Sequence, residues 1–411
     1  MDKKLKFFYF FFFVGFLSFG QLVNDLTTDK NRFTIPFTLV NNLIIVPVVI
    51  NETPLNMVLD TGSPYTLIVD YMGIDELVLS KGKKIVIGGL GHGYDIEAYD
   101  SRFNQLKIGK ATKQDTHLII LLNSPMKLSQ SLGMPVHGIT GFDILKDFVV
   151  EINYRSKKIK FYKHDYFYQR KERKIRRHQP TPLLFHERKP YIQASVKSGE
   201  HKADTANLLV DTGGWDAIWW FKNSNPKIPL PSLHYKDTLG YGINGPITGF
   251  LSKTDFIKIG NFKFERPTTS FPDSVSLASA VSFENRNGSI GGEIIKRFHV
   301  IFDYKNKLMY LKPNLNYNNE FHYNMSGLKL EKTFEFLPFL EIVAVRQNSP
   351  AYHSGFKKGD LITSINGEDL KEGDLGKINN LFRSNPGKKI TASLLRNGQK
   401  LSKSFYLVDP F

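Results

Sequence analysis

The strongest constraint on this chain of 411 residues is that much of it is written twice. One stretch reads Met57-Val58-Leu59-Asp60-Thr61-Gly62-Ser63, and a later one reads Leu208-Leu209-Val210-Asp211-Thr212-Gly213-Gly214. Each runs an apolar triplet into Asp-Thr-Gly. Downstream, Gly138 and Gly141 lead to Phe148 and Asn153-Tyr154, while Gly288 and Gly291 lead to Phe298 and Asp303-Tyr304. Asp60 precedes Gly141 by 81 positions and Asp211 precedes Gly291 by 80. Between these marks, Leu90-Gly91-His92-Gly93 and Leu239-Gly240-Tyr241-Gly242 each precede an Ile-Gly pair, Ile108-Gly109 and Ile259-Gly260. Landmarks in one order and nearly one register identify a duplicated unit, extending from about residue 30 to about residue 315.

Each unit reads as mostly β. Residues 39–50 are largely Leu, Ile and Val, with Pro47 expected at an edge, and 149–161 and 191–196 hold short β-branched or alternating runs. One short helix per unit is expected over 142–148 and 293–298. The spacing divides the duplicated part into an N-terminal lobe at 21–165, a basic inter-lobe linker at 166–189 and a C-terminal lobe at 190–318. Around the linker, residues 155–177 carry eleven Lys or Arg against Asp165 and Glu172, with Tyr166, Phe167 and Tyr168 adjacent. The expected form is a solvated linker whose aromatics pack on a lobe, with weak contact to an anionic envelope surface as the other use of its charge. From 321 to 411 a third pattern begins. Ser349-Pro350-Ala351, Gly355, Gly359-Asp360 and Ile365-Asn366-Gly367 precede Leu375, Ile378, Leu381 and Phe382 at helical spacing, and 390–395 and 401–408 read as strands. This is a separate, small α+β domain.

The chain has no cysteine, which excludes disulfides, thiolate nucleophiles and Cys-ligated metal centres. Its formal charge is +16, from 55 basic and 39 acidic residues. Charge alone fits a nucleic-acid partner, an anionic surface or a biased solvated surface. The N-terminus narrows the choice. Lys3, Lys4 and Lys6 precede an uncharged run over 7–19 that ends in Ser18-Phe19-Gly20, the layout of a signal peptide at 1–20. That run is shorter than the ~20 residues needed to span a bilayer. The expectation is export, to a periplasmic or secreted location, and no nucleic-acid partner. Residues 21–32 are too few for a long inhibitory prosegment, so little processing is expected. Residues 240–245 match a dinucleotide fingerprint literally, but Pro246 follows where a helix would have to open. The eleven histidines show no pair at metal spacing. No cofactor and no metal is expected.

An aspartate in an apolar-flanked turn, present twice by pseudo-twofold symmetry, points to paired carboxylates. Two carboxylates at close range cannot both ionise, so one serves as base and the other as acid. The base takes a proton from water, the water attacks a peptide carbonyl, and the acid protonates the developing oxygen. Asp60 and Asp211 are the candidate catalytic pair. Gly62 and Gly213 permit the turns and let backbone amides approach the carboxylates, while Thr61 and Thr212 can bond across the lobe interface.

These residues resemble the pepsin and retropepsin-like aspartic proteases, over about 285 of the 411 residues, with each Asp-Thr-Gly followed by a Gly-x-x-Gly segment. The resemblance implies a bilobal β-barrel protease fold in which the later segment packs beside the catalytic turn. It also implies flap hairpins over the substrate, at Gly88, Gly89, Gly91 and Gly93 and at Gly240 and Gly242. Ser63 offers a hydroxyl able to bond its carboxylate, and Gly214 offers none. Tyr94 lies near the place of pepsin's flap tyrosine without a clear match. The absence of disulfides suggests the bacterial two-lobe type. The third pattern resembles a PDZ domain, which adds a peptide strand to a sheet edge beside a helix. That likeness makes 326–328 the carboxylate-side loop and 375–382 the groove helix, with Gly327, Leu328, Leu375 and Ile378 lining the groove. Together they imply an aspartic endopeptidase acting on protein or peptide substrates, with a PDZ domain that recruits peptide segments or regulates access. Two other readings remain open: an exported peptide-binding adaptor with an inactive protease fold, and a surface-binding protein that docks through its basic linker.

Overall fold

The computed structural model describes residues 25–70, 74, 77–80, 82–121, 123–277, 286–333, 337–371 and 374–411. The expected signal segment at 1–20 lies outside the described residues. The fold is mostly β, in two related lobes, a sheet they share and a third domain with its own core.

Lobe 1 is an eight-stranded sheet in the order Thr38–Val40, Leu43–Ile50, Thr53–Leu59, Gly138–Thr140, Thr66–Ile68, Ala111–Ile120, Ile96–Ile108, Gly82–Ile87. Leu43–Ile50 also pairs with Ile96–Ile108, which closes the sheet on itself. Alternation drives the closure, because one face of each strand turns into a common core of Ile44, Val46, Met57, Leu106 and Leu118. Pro47 is not on an edge strand. It sits where Leu43–Ile50 lacks a partner on one side, between residues that pair with Thr38–Val40 and residues that pair with Ile96–Ile108, so no ladder donor is lost there.

Lobe 2 repeats the plan. Lys189–Lys197, Asp204–Val210, Gly288–Ile290 and Ile218–Trp220 stand where lobe 1 has Leu43–Ile50, Thr53–Leu59, Gly138–Thr140 and Thr66–Ile68. The first hairpin of each lobe turns through two residues at positive φ, Asn41 (48°) and Asn42 (69°) in lobe 1 and Glu187 (48°) and Arg188 (66°) in lobe 2. Such turns match the twist of the flanking strands.

A six-stranded antiparallel sheet joins the lobes, in the order Arg32–Pro36, Lys158–Tyr162, Val149–Asn153, Phe298–Asp303, Leu308–Pro313, Gln179–Pro182. At its seam Val150 faces Phe302 and Ile152 faces Val300. Glu151 is buried there, and hydrogen-bonds or pairs with His299, Lys174 and Tyr162.

The segment expected as a solvated linker is built into this floor. It holds the helix His164–Ile175, the last strand of the shared sheet, and Leu184–His186 of the lobe 2 hairpin. Phe167 is fully buried against Tyr162, Ile301 and Tyr310, so the aromatics do pack on the lobes. Asp165, Arg170 and Arg173 on the helix are exposed, while Lys174 reaches Glu151.

The third domain is a sheet in the order Leu328–Glu331, Leu340–Val345, Leu361–Ile365, Lys389–Arg396, Gln399–Tyr406, with helices Pro350–His353 and Asp374–Leu381. Its motifs have local reasons. Ser349 caps the first helix by accepting from Tyr352 N, with Pro350 opening the helix. Asp360, almost fully buried, takes both oxygens to Arg396 at 2.6 Å. Asn366 and Gly367, both at positive φ, make the two-residue turn between Leu361–Ile365 and Glu368–Asp369.

Candidate active site

The two Asp-Thr-Gly turns meet at the bottom of the cleft between the lobes. Each is held from below by its own lobe, with Asp60 N donating to Thr140 O at 2.8 Å and Asp211 N to Ile290 O at 2.9 Å. They are locked to each other by four reciprocal bonds. Thr61 N donates to Thr212 Oγ1 and Thr212 N to Thr61 Oγ1, both at 3.0 Å. The hydroxyls donate onward across the interface, Thr61 to Val210 O and Thr212 to Leu59 O. Both threonines are fully buried, so each amide, hydroxyl and carbonyl needs its partner in the other lobe.

This grip forces the carboxyls together. A Cβ on Gly62 would lie 3.1 Å from Asp60 Oδ1 and 3.5 Å from Asp211 Oδ1, and one on Gly213 would strike Asp60 Cγ at 2.4 Å. At Gly213 only glycine leaves room for the carboxyl of the other lobe. Gly62 N donates to Asp60 Oδ1 at 2.6 Å and Gly213 N to Asp211 Oδ1 at 2.9 Å. Burial pushes the Asp60 carboxyl well above the usual range, and the neighbouring charge of Asp211 pushes it further. Burial also raises Asp211, but the Arg286 guanidinium and a hydrogen bond with Asp60 oppose the rise. The pair therefore holds one proton between the two carboxyls, and the Arg286 guanidinium favours the remaining charge on the Asp211 side.

Ser63 does not bond its carboxylate. Its hydroxyl donates to Tyr65 O at 2.7 Å, closing the local turn instead. The difference between Ser63 and Gly214 is therefore one of turn packing, and each carboxylate is oriented by backbone amides.

Both expected flaps are hairpins, Gly82–Ile87 with Ile96–Ile108 in lobe 1 and Tyr235–Gly242 with Gly245–Lys253 in lobe 2. Their tips are bonded together: Gly93 N donates to Asn244 O at 2.6 Å, Asn244 N to Leu90 O at 2.9 Å and His92 N to Pro246 O at 3.1 Å. The glycines serve this contact. A Cβ on Gly242 would lie 2.1 Å from Leu90 O, and one on Gly91, at φ 128°, would lie 2.6 Å from the Asn244 backbone. Gly89 packs on the Ile243 side chain in the same way, whereas Gly240 makes no comparably tight approach. Tyr94 is 95% exposed and takes no part.

Three residues beside the pair escaped the motif search. Lys189, Tyr191 and Arg286 stand where lobe 1 has Leu43, Ile45 and Val136, by the registers that place Tyr191 opposite Leu209, Ile45 opposite Val58, and Gly288 and Gly138 beside the two turns. The signal available was the departure of one repeat from the other, apolar in the first and polar or basic in the second.

The third domain is docked on both lobes. Lys332 N donates to Gln130 O of the lobe 1 helix Leu128–Leu132 at 2.9 Å, and a Cβ on Gly133 would lie 2.8 Å from Leu375 Cβ on Asp374–Leu381. On lobe 2, Lys329 Nζ lies 4.2 Å from the Tyr241 ring centre, and the Arg346 guanidinium lies 4.7 Å from that of Tyr235. Leu328, Leu375 and Ile378 are buried. In the expected carboxylate-side loop, Asn324 Oδ1 accepts from the amides of Ser326 and Gly327, and Ser326 Oγ accepts from that of Leu328. Leu328, Leu375 and Ile378 lie together in the apolar cluster of the domain, with Leu375 also against Gly133 of lobe 1 and the loop amides taken by Asn324 and Ser326.

Residues 46–143 match the family model described as Aspartyl protease, and residues 341–396 match that described as PDZ domain. A comparison with curated proteins found no match. The chain carries a retropepsin-like aspartyl protease domain joined to a C-terminal PDZ domain.

Proposed function

We propose that the protein is an aspartic endopeptidase whose working pair is Asp60 and Asp211. The observation that carries this reading is the reciprocal Thr61–Thr212 lock, which holds two carboxyls against one another with a single proton between them. Asp211 accepts a proton from water as the oxygen attacks the peptide carbonyl carbon. Asp60 gives its proton to the carbonyl oxygen, and a tetrahedral diol forms. Collapse of the diol breaks the C–N bond, the amine leaves with a proton from Asp211, and Asp60 recovers one from the diol. The interlocked flaps exclude water and must part for a chain to enter. Cleavage of an unfolded protein, inhibited by a statine-type transition-state analogue, is the test. If such cleavage is absent, or Asp60→Asn and Asp211→Asn leave its rate unchanged, the pair is not the catalyst.

For the PDZ domain, regulation is favoured over recruitment, because the groove already packs on lobe 1 while its outer strand braces the lobe 2 flap. The adaptor reading survives only if peptide binds without cleavage. Export is proposed from the basic and apolar start of the chain, and a mature N-terminus near Gln21 is the outcome expected from terminal sequencing.

A further inference from the structure

The second repeat departs from the first in a way that the shared chemistry does not require. Leu43, Ile45 and Val136 are buried in one apolar cluster of lobe 1. Their lobe 2 counterparts are Lys189, Tyr191 and Arg286. Strand alternation places Lys189 and Tyr191 on one face of Lys189–Lys197, the face that opposes Leu209, whose Cδ2 lies 3.2 Å from the Gly62 Cβ position. Arg286 lies two residues before the adjoining strand Gly288–Ile290, with Nε donating to Gly288 O at 3.2 Å and its guanidinium 4.9 Å from the Phe221 ring centre. It is 9% exposed, and Lys189 is half-buried. The two cations are close enough to act on one another and on both dyad carboxyls.

Charge favours an anion beside this pair. Two partly desolvated cations stand together, yet a dyad that shares a proton carries one negative charge. Among the described residues, the other carboxylate whose charge reaches Lys189 is Glu187, more than half exposed at the hairpin turn and placed toward His186. No carboxylate of the described chain besides the dyad reaches Arg286. A ligand anion placed against two partly desolvated cations adds to the stabilisation that the dyad and Glu187 supply.

We propose that Lys189 and Arg286 form a carboxylate-accepting subsite on the lobe 2 side of the cleft, selecting peptides with an acidic group within a few residues of the cleaved bond. This rests on the endopeptidase reading and adds the substrate class to it. The carboxylate belongs to an Asp or Glu side chain or to a peptide C-terminus, and Tyr191 packs beside it. Lobe 1, with apolar residues at the same positions, offers no equivalent.

The test is digestion by the full chain of a peptide library prepared in C-terminally amidated and free-acid forms, with cleavage sites mapped by mass spectrometry. Asp and Glu should be enriched about fivefold or more at one position near the cut in the amidated library. A terminal carboxylate as the true ligand would confine the preference to the free-acid library and place cuts near the C-terminus. The ratio of acidic to neutral sites should fall toward unity in Lys189→Leu and in Lys189→Gln. Equal cleavage of acidic and neutral sites by the unaltered chain, or a ratio that Lys189→Leu does not move, overturns the subsite while leaving the peptidase intact. If the unaltered chain cleaves nothing, the peptidase reading fails, and the subsite is read by fluorescence anisotropy with Asp60→Asn. Glu-containing peptides should then bind more tightly than their Gln versions, with the difference lost at high salt and in Lys189→Leu. Equal binding of the two peptides overturns it.

Discussion

Lobe 1 and lobe 2 were laid down on one plan, and they differ most where each faces the other. At the dyad they are interchangeable: Thr61 and Thr212 give and receive the same bonds. One step outward they diverge. The first hairpin of lobe 1 turns at Asn42, whose amide donates to Trp215 O at 2.8 Å and Glu293 Oε2 at 2.7 Å in lobe 2. The matching hairpin of lobe 2 turns at Arg188, which stacks on Tyr65 and Phe142 of lobe 1 at 5.6 and 5.5 Å. The same geometric task is met by hydrogen bonds on one side and by a cation on aromatic faces on the other. The flaps diverge further: both hairpins end their sheets, and that of lobe 2 is also braced by the PDZ domain. Chemistry needs symmetry only at the dyad, and the remaining surface is free to specialise.

The comparison can be broken at several depths. Asp60→Asn and Asp211→Asn should each lower peptide hydrolysis by about a thousandfold or more, since the acid and the base contribute to one transition state. A much smaller loss for one of them would mean that the lobes are not chemically equivalent. Next is Glu151→Gln on the shared floor, expected to cost about 3 kcal/mol in urea unfolding at neutral pH by leaving Lys174 and His299 without their carboxylate. Burial alone would raise this carboxyl, but hydrogen bonds from His299, Lys174 and Tyr162 hold it far below the usual carboxyl range. A depressed folded-state value gives stability that is present above the unfolded value and lost as pH falls, so the gap between wild type and variant should close in acid.

Thr61→Val and Thr212→Val each strand a buried amide and a buried carbonyl of the opposite lobe, at about 2 kcal/mol apiece. Equal losses would confirm the symmetry of the lock. Asp60 has the reverse linkage from Glu151. Its folded value is raised, so its stability contribution is present below the unfolded value and is lost as pH rises through the folded one. Asp60→Asn should therefore raise the melting temperature at neutral pH and leave it nearly unchanged near pH 3. The smallest effect is expected outside the dyad. Arg346→Ala removes the contacts to Tyr235 and Asp237 and should speed hydrogen exchange at Asn244 in the braced flap by severalfold, with the remainder of the lobe 1 flap less affected. Uniform exchange in both flaps would remove the brace.

The dyad and its lock were legible in the sequence because they require particular residues at particular spacings, and the duplication supplied an internal control. The Ser63 hydroxyl was not, since the choice between a carboxylate and Tyr65 O depends on turn geometry. Lys189 and Arg286 were visible only as disagreements between repeats, once structural registers accounted for the longer hairpin loop of lobe 2. The shared floor left no local trace: it pairs Asn153 with His299, and its first strand has five residues. PDZ docking was hidden for a different reason. It rests on a backbone bond at Lys332 and on close approach at Gly133, which leave no pattern of apolar side chains to read.

The floor has a consequence for how such a molecule changes over time. Its seam is a ladder of main-chain bonds between Val149–Asn153 and Phe298–Asp303, and main-chain bonds are indifferent to side-chain identity except for proline. Two copies of a gene segment bound by their side chains would have to mutate in step, each change answered by its mirror. Copies bound by backbone are released from that obligation. One half can keep leucine where the other carries lysine, and the backbone seam between them is undisturbed.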